Sequence, residues 1–306
     1  MSEVYDLIVI GAASAGLPAA IYAKRFGLNT LVIGAEPGGL LNESSKVENW
    51  PGDIAVPGRE LMQRFKAHVE SLGVEIKQEW VKEIKKEGES FLLTTDTAKY
   101  LAKALVLTMG SKHRHLGVPG EQELSSRGVS YCPTCDAAFF KNVPVAIIGG
   151  GDGAASAANL LAEHASKVFV LVRKDHMRAE PINQKKMTDN PKIEILYETS
   201  PLEFVGDKAL EGIKLSKPYK GKDILPVEGT FIMIGADPQT KLAADLGVKL
   251  DESKEMIIDE NSRTSVPFVY AAGDAANKRQ KQTITGAAEG VKAAFSAYED
   301  IRKSED

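Results

Sequence analysis

Residues 144–172, with the sequence PVAIIGGGDGAASAANLLAEHASKVFVLV, decide the fold of the chain. The apolar run Pro144–Ile148 predicts a buried strand, the alanine-rich stretch Ala155–His164 a helix, and the run Lys167–Val172 a second strand. The intervening loop, Gly149–Ala154, fits the pattern G-x-G-x-x-A, which places a pyrophosphate at a helix N-terminus. The segment therefore predicts a βαβ unit that binds a dinucleotide. The candidate cofactor-binding residues of this loop are Gly149, Gly151, Asp152, Gly153 and Ala154.

Cations follow the second strand of this unit. Sites for NAD place a carboxylate at this point, where it accepts a hydrogen bond from the ribose 2′-hydroxyl. Here the chain carries Arg173, Lys174 and Arg178. A cationic cluster accommodates a 2′-phosphate, although a solvated group of surface charges has the same composition. The sequence therefore favours NADPH, bound by these three side chains.

A second nucleotide loop lies near the N-terminus. The apolar run Val4–Ile10 predicts a strand and Ala15–Phe26 a helix, with the loop GAASAG between them. Ala13 stands at the middle glycine of the usual pattern, so one methyl group crowds the approach to the phosphates. Two such loops in one chain predict an α/β protein of two Rossmann-like, three-layer ββα domains. The candidate cofactor-binding residues here are Gly11, Ala13, Ser14, Ala15 and Gly16.

Glu36 follows the next predicted strand, Asn29–Ile33, about 20 residues after the loop, where a ribose-binding acid is expected. It is either that ligand or a solvated loop charge. A later strand ends at Gly273-Asp274, and Asp274 is a flavin ligand, a helix N-cap or both.

The chain has two cysteines, Cys132 and Cys135, in the order Cys-Pro-Thr-Cys-Asp. In a reducing compartment such a pair is more often catalytic or metal-binding than structural. A zinc site needs two more soft ligands, and the five histidines are scattered, so we predict no metal. The pair therefore predicts a dithiol–disulfide redox centre. Asp136 beside it is either a general acid and base for the thiols or a helix N-cap.

Composition excludes several other classes of function. The chain of 306 residues is 43% hydrophobic and 26% charged, with a net charge of −4. This charge gives no indication of a basic surface that would bind nucleic acid. Its longest apolar runs have the length of strands, too short to span a membrane. Acids near the N-terminus stand where a signal peptide needs basic residues, which predicts a cytoplasmic protein.

Two amphipathic helices are also predicted. One spans Arg59–Ser71, with an apolar stripe formed by Leu61, Phe65, Val69 and Leu72. The other begins at about Ile284, and its predicted apolar face consists of Ala288, Val291, Phe295 and Tyr298.

These motifs together resemble those of low-molecular-weight, bacterial-type thioredoxin reductases, class II of the pyridine nucleotide-disulfide oxidoreductases. The resemblance rests on Val47–Gly52, Cys132–Asp136, Gly149–Ala154, Arg173–Glu180 and Tyr270–Asp274, in the family's order. It implies an FAD domain of residues 1–114 and 242–306, with an NADPH domain of residues 115–241 inserted. It also implies a homodimer in which electrons pass from NADPH through FAD and the Cys132–Cys135 disulfide to thioredoxin.

The resemblance also implies roles for individual residues. Cys135 would exchange electrons with the flavin, Cys132 would attack the thioredoxin disulfide, and Asp136 would move protons. The inserted domain would rotate about linkers near His113–Leu116 and Ala236–Leu242. Further FAD-binding residues implied by the resemblance are Gly39, Leu40, Asn49, Gly110, Gly273, Asp274, Lys281 and Gln282.

Three other functions fit the same residues. The electron donor could be reduced ferredoxin or a deazaflavin, although relatives of that kind usually lack the cationic cluster. The chemistry could run in reverse, as a dithiol oxidase acting on a small molecule. The protein could also be a flavin-binding redox sensor without turnover.

Overall fold

The computed structural model describes residues 4–44, 46–278 and 280–305, which form two compact units. The first unit comprises the described residues of Met1–Lys112 and Pro238–Asp306, and the second comprises His113–Asp237. The sequence placed the limits at 114 and 242, a few residues later in each case. Residues 238–241 group with the first unit because the Gln239 amide donates to the Gly110 carbonyl (2.9 Å) and Thr240 Oγ1 donates to the Lys254 carbonyl (2.8 Å).

The helices and strands are numbered in chain order. The first half of the chain contains β1 (Val4–Ile10), α1 (Gly16–Arg25), β2 (Thr30–Ile33), α2 (Gly58–Ser71), β3 (Glu75–Lys77), β4 (Val81–Glu87), β5 (Ser90–Thr95), β6 (Lys99–Leu107), β7 (Ser111–His113), β8 (Val129–Ser130), α3 (Pro133–Asp136) and β9 (Pro144–Ile148). The second half contains α4 (Asp152–His164), β10 (Lys167–Val172), α5 (Pro181–Thr188), β11 (Ile193–Tyr197), β12 (Pro201–Val205), β13 (Gly212–Tyr219), β14 (Lys222–Leu225), β15 (Gly229–Ile232), β16 (Ala236–Pro238), α6 (Lys241–Asp245), β17 (Val269–Ala271) and α7 (Thr283–Glu305). Short 3₁₀ helices span Gly39–Glu43 and Ala137–Phe140.

The first unit is built on a sheet with the order β3-β2-β1-β6-β5-β4, and β17 also pairs with β6. The pairs of β1 with β2 and β6 are parallel, whereas β4, β5 and β6 are antiparallel. Alternate residues of β1 face opposite layers, as strand geometry requires. Leu7 and Val9 pack with α1 and α7, and Ile8 and Ile10 pack with the apolar residues of β5 and the segment after α6. This arrangement gives three layers around a buried parallel sheet.

The second unit repeats this architecture. Its parallel sheet has the order β11-β10-β9-β15-β8, and a three-stranded antiparallel sheet, β12-β13-β14, covers one face. Val145 and Ile147 pack against α4, and Ala146 and Ile148 against the antiparallel sheet. The predicted α/β fold of two Rossmann-like domains is therefore confirmed.

The predicted start of one helix was wrong. Helix α4 begins at Asp152 and not at Ala155, and Gly151 is its N-cap. Strand β6 begins at Lys99, and its polar first half pairs with β5. Strand β4 continues through Lys86 and Glu87, whose charged side chains lie on an exposed strand of the hairpin that β4 forms with β5.

The predicted apolar face of α7 was wrong in part: Tyr298 packs against the core and stacks on Phe26 with ring centroids 5.1 Å apart, but two other members are exposed. Phe295 is 47% exposed and Ala288 is exposed as well. The start of helix α1 lies too close to α7 for a large side chain, since a Cβ on Gly290 would fall 2.1 Å from the Ala15 carbonyl oxygen. At this point α7 therefore faces α1 with small residues. The buried core residues of α7 include Ala293, Ala294, Ala297 and Ile301.

The stripe predicted for α2 is confirmed: Leu61 and Val69 are buried, and Phe65 and Leu72 pack against the core. Within the described part of the chain, no helix combines the length and the apolar character that crossing a bilayer would need.

Candidate active site

The first unit contains a cavity of about 720 Å³ at the carboxyl ends of its parallel strands. Nucleotides bind at this edge in open α/β sheets. The cavity brings together most of the residues that the sequence proposed for FAD. The lining includes Gly11, Ala13, Ser14, Ala15, Glu36, Gly39, Leu40, Gly110, Gly273, Asp274, Lys281 and Gln282.

Two of the proposed residues do not line the cavity. Gly16 lies beneath the loop, where a Cβ would fall 1.9 Å from the Gly11 carbonyl oxygen. Asn49 donates from Nδ2 to Gln282 Oε1 at 2.9 Å, so it contacts the lining through another side chain. Both residues therefore shape the cavity from outside it.

The loop after β1 is held close to the end of β6. Gly11 has φ +114°, and a Cβ there would fall 2.2 Å from the Thr108 carbonyl oxygen. The Thr108 hydroxyl lies within hydrogen-bond distance of the carbonyls of Ile10 (2.9 Å) and Gly11 (3.1 Å). The N-cap of α1, Ala15, makes no side-chain capping bond among the described residues. Within the first turn of α1 the Leu17 amide donates to the Ala13 carbonyl at 3.0 Å and Pro18 has no amide hydrogen, so a pyrophosphate at this helix N-terminus would be met by the Gly16 amide and the loop before it.

Ionisable residues surround Asp274, which lines the cavity. No helix begins at Asp274, so its alternative role as an N-cap was wrong. Burial by surrounding protein raises the pKa of its carboxyl above the ordinary value, although Lys281 and the Ser111 hydroxyl act in the opposite direction. Lys281 Nζ donates to the Asp274 carbonyl at 2.7 Å and pairs with Glu255. This lysine therefore fixes the backbone of the Gly-Asp turn.

Glu289 supports the same turn from α7. Its Oε2 accepts the Gly273 amide at 2.9 Å, and burial raises the pKa of this carboxyl. This residue could not be predicted from the sequence, because a single acid in a helix carries no signal of a distant amide.

The cavity also has a wall that the sequence did not predict. It is formed by Glu79, Trp80, Val81 and Lys82 around the start of β4, with Lys112, Gln239, Lys241 and Leu242. Lys112 Nζ lies 5.6 Å from the centre of the Trp80 ring, within the range of a cation–π contact. These residues come from separate chain segments without a local motif. They could have been found only by predicting which strand ends lie side by side in the folded sheet.

In the second unit, the glycine-rich loop after β9 leads directly into helix α4. A Cβ on Gly151 would meet no described atom within 4 Å, so its backbone is open to a ligand. Arg173, Lys174 and Arg178 are exposed on the segment between β10 and α5. The Arg178 amide donates to the Gly150 carbonyl at 2.6 Å, which brings this segment beside the loop.

The structure gives Asp152 a different contact from the one proposed. Its Oδ1 accepts the Glu180 amide (2.7 Å) and Asn183 Nδ2 (2.9 Å). The carboxylate therefore ties the cationic segment, residues 173–180, to the first turn of α4.

Cys132 and Cys135 form a disulfide with Cα atoms 5.3 Å apart. Cys132 is the N-cap of α3, and its Sγ accepts the Cys135 amide at 3.2 Å. Asp136 occupies the N-cap position of the 3₁₀ helix Ala137–Phe140, but its side chain makes no capping bond within the described chain; its Oδ2 accepts the Ser130 hydroxyl at 2.6 Å. The N-cap alternative therefore holds for the position of Asp136 and not for its side chain. A half-buried carboxylate next to a dithiol can accept and return thiol protons.

A buried acid anchors the residue before Cys132. Glu121 is 2% exposed and accepts the Leu116 amide (2.9 Å), the Gly117 amide (2.6 Å) and the Tyr131 hydroxyl (2.5 Å). Burial raises the pKa of Glu121, but these bonds outweigh burial and hold it below its ordinary value. His115 Nδ1 lies 2.8 Å from the same hydroxyl. The end of the linker predicted at His113–Leu116 is thus fastened to the second unit.

No cluster of three or more metal-ligating side chains occurs within residues 4–44, 46–278 and 280–305.

Known proteins resemble this chain over almost its full length. The family described as pyridine nucleotide-disulphide oxidoreductase matches residues 5–291. A thioredoxin reductase of Listeria monocytogenes is 37% identical over 304 residues, which cover 98% of this chain and 95% of that protein. The crystal structure of Lactococcus lactis thioredoxin reductase matches with a TM-score of 0.94 at 34% identity, covering 98% of this chain and 99% of that one. The crystal structure of T. acidophilum thioredoxin reductase matches with a TM-score of 0.92 at 36% identity, covering 97% of this chain and 98% of that one.

Both nucleotide loops and the disulfide lie within the matched residues, so the likeness includes the candidate site as well as the scaffold. The chain belongs to the pyridine nucleotide-disulphide oxidoreductase family, and within it to the thioredoxin reductases.

Proposed function

We propose that this protein is a flavoprotein that reduces the disulfide of thioredoxin or a thioredoxin-like protein with electrons from NADPH. The observation that carries the proposal is the Cys132–Cys135 disulfide beside Asp136, in a chain with two dinucleotide-binding folds. The overall reaction is NADPH plus a proton plus a protein disulfide, giving NADP⁺ and a protein dithiol.

The cavity of the first unit fits FAD. Its volume of about 720 Å³ is in the range of cofactor sites, and the glycine loop that leads into α1 at Gly16 lies at its wall, where a pyrophosphate would bind. When bound, the flavin would supply a hydride acceptor that returns two electrons to a disulfide. Residues of the Gly11–Gly16 loop would hold the pyrophosphate, and Glu36 would bind a ribose. Asp274, held by its Lys281 neighbour, would orient the remaining part of the cofactor.

The choice of NADPH rests on the cationic segment. The side chains of Arg173 and Arg178 make no hydrogen bond or ion pair with any residue that the structure describes, which leaves them available to a 2′-phosphate. We expect Arg178→Ala to raise KM for NADPH far more than KM for NADH. Equal effects on the two would contradict the 2′-phosphate assignment.

The thiol chemistry follows from the contacts of the pair. In the reduced state the Cys135 amide would stabilise a thiolate on Cys132, the sulfur to which it donates here. That thiolate would attack the disulfide of the partner and form a mixed disulfide. Cys135 would then attack Cys132 Sγ, releasing the partner as a dithiol and restoring the disulfide. Asp136 would take the proton of an attacking thiol and give it to a leaving thiolate.

The family resemblance adds a homodimer, rotation of the NADPH unit between the two half-reactions, and a cytoplasmic location. These stay predictions. Sedimentation of the FAD-loaded protein would test the dimer directly.

The decisive experiment is an anaerobic titration of the FAD-loaded protein with NADPH and then NADH, followed by the flavin absorbance. We expect NADPH to bleach the flavin at much lower concentration. Cys132→Ser should keep this bleaching and lose thioredoxin reduction. Full thioredoxin-reducing activity in Cys132→Ser would refute the proposal. Bleaching by reduced ferredoxin but not by NADPH would instead support the other electron donor.

A further inference from the structure

The serine two residues before Cys132 lies between the two parts of the redox site. Ser130 ends β8 and is 7% exposed. Its hydroxyl donates to Asp136 Oδ2 at 2.6 Å, and the same oxygen accepts the Cys132 amide at 3.1 Å. One side-chain atom thus connects the backbone of the first cysteine to the carboxylate.

The two bonds fix the direction of the hydroxyl. Because its oxygen accepts the Cys132 amide, its proton is directed to Asp136. The Asp136 carboxylate is held on one oxygen, and Oδ1 makes no hydrogen bond with any residue that the structure describes. An acid–base group needs this combination, in which one oxygen sets its position and the other can exchange a proton.

The position of Ser130 is itself firmly set. Strand β8 pairs with β15 in the buried sheet of the second unit, with Ser130 opposite Phe231. The next residue, Tyr131, is anchored through its hydroxyl to Glu121. The hydroxyl of Ser130 is therefore carried by an ordered strand end, whereas Asp136 lies in the last turn of a short helix.

We propose that Ser130 is a positioning residue for proton transfer, which holds Asp136 in place for the thiol exchange of Cys132 and Cys135. This inference rests on the proposed function. A proton leaves the attacking thiol for the carboxylate and then passes to the leaving thiolate. Ser130 keeps its own proton, and the electrons move only between sulfurs.

The test compares two disulfide probes on the FAD-loaded protein after anaerobic reduction with dithiothreitol and removal of the excess. Hydroxyethyl disulfide releases a basic thiolate that needs a proton, whereas 5,5′-dithiobis(2-nitrobenzoic acid) releases an acidic one that does not. We expect Ser130→Ala to slow exchange with the first probe about tenfold, a part of the ~10²–10⁴ that acid–base catalysis supplies. The second probe should change by less than about threefold, because its leaving group needs no acid.

Three variants complete the design. Ser130→Thr, which keeps the hydroxyl, should restore most of the rate with hydroxyethyl disulfide. In the Asp136→Asn background, Ser130→Ala should have no further effect, because the two residues act as one unit. Ser130→Gly removes the same hydroxyl without leaving the alanine methyl group, and it replaces Ser130→Ala in the two-probe comparison if Ser130→Ala does not fold.

The outcomes separate this inference from the proposed function. Equal slowing of both probes, or a full effect of Ser130→Ala in the Asp136→Asn background, would overturn the positioning role. If Asp136→Asn slows exchange but Ser130→Ala does not, this inference alone fails. If Asp136→Asn leaves both probes unaffected, the proposed role of Asp136 fails first, and the inference fails with it.

Discussion

The contact of Asp152 with the cationic segment leads to a specific prediction about cofactor selection. Its Oδ1 holds the Glu180 amide at 2.7 Å and Asn183 Nδ2 at 2.9 Å. Asp152→Ala would remove both bonds and release the segment that carries Arg173 and Arg178. Only NADPH carries the 2′-phosphate that would bind those cations. The variant should therefore lose more affinity for NADPH than for NADH.

The size of the effect follows from the two bonds. A hydrogen bond to a charged group contributes about 1.5–3 kcal/mol, and leaving the Glu180 amide without its partner costs less because that amide is exposed. We take the lower value, ~1.5 kcal/mol, which corresponds to about a tenfold rise in KM for NADPH. Asp152→Asn keeps an acceptor oxygen without the charge and should raise KM by about threefold, as expected for a neutral bond of ~0.5–1 kcal/mol.

The assay is steady-state reduction of thioredoxin with each nucleotide, together with direct NADPH binding to the FAD-loaded protein. Glu163→Ala is the matched control, because Glu163 is an exposed acid on the same helix, α4. We expect the control to change neither KM. An unchanged KM for NADPH in Asp152→Ala would refute the reasoning. An equal rise for NADPH and NADH would show that Asp152 supports nucleotide binding in general and not the 2′-phosphate site.

Two further predictions concern stability. Glu121→Gln should destabilise the second unit by about 1–3 kcal/mol, because the buried side chain that accepts three hydrogen bonds would lose its negative charge. Since the folded-state pKa of Glu121 is lowered, this stabilisation is present above the unfolded value of about 4.3 and is lost as pH falls through the folded value. The difference in Tm between wild type and Glu121→Gln should therefore be constant from pH 6 to 8 and shrink below about pH 4. Gly290→Ala would place its Cβ 2.1 Å from the Ala15 carbonyl oxygen, and overpacking of this kind costs about 1–3 kcal/mol. Gly286→Ala is the control, because its Cβ would lie no closer than 3.5 Å to the nearest atoms, which is ordinary van der Waals contact. Equal Tm values for the two variants would contradict the packing argument.

The sequence predicted the parts of the fold that depend on local pattern. The strand–loop–helix units at Val4–Ile10 and Pro144–Ile148 were recognisable because apolar runs, glycine loops and alanine-rich helices occur in immediate succession. The disulfide pair was recognisable because Cys132 and Cys135 are the two cysteines of the chain.

The remaining features depend on contacts between distant segments. Small residues of α7 face the start of α1, which a search for large apolar side chains cannot detect, so Phe295 was predicted on the buried face although it is 47% exposed. The wall around Trp80 and the bonds of Glu121 and Ser130 join residues whose partners are set by the tertiary fold. A carboxylate such as Asp152 looks the same in sequence whether it binds a ligand or a backbone amide.

The two nucleotide loops together explain why the chain can carry Ala13 without losing its fold. The first glycine of each loop faces a backbone carbonyl at the end of a neighbouring strand, since a Cβ on Gly11 or Gly149 would fall 2.2 Å from the oxygen of Thr108 or Met233 respectively. Those positions are required by packing within the protein. The middle position differs, because a Cβ on Gly151 would meet no described atom within 4 Å. A methyl group at the corresponding Ala13 therefore changes what can approach the loop and leaves the packing of strand and helix intact. Its effect should be found in the affinity for the cofactor and not in the stability of the fold.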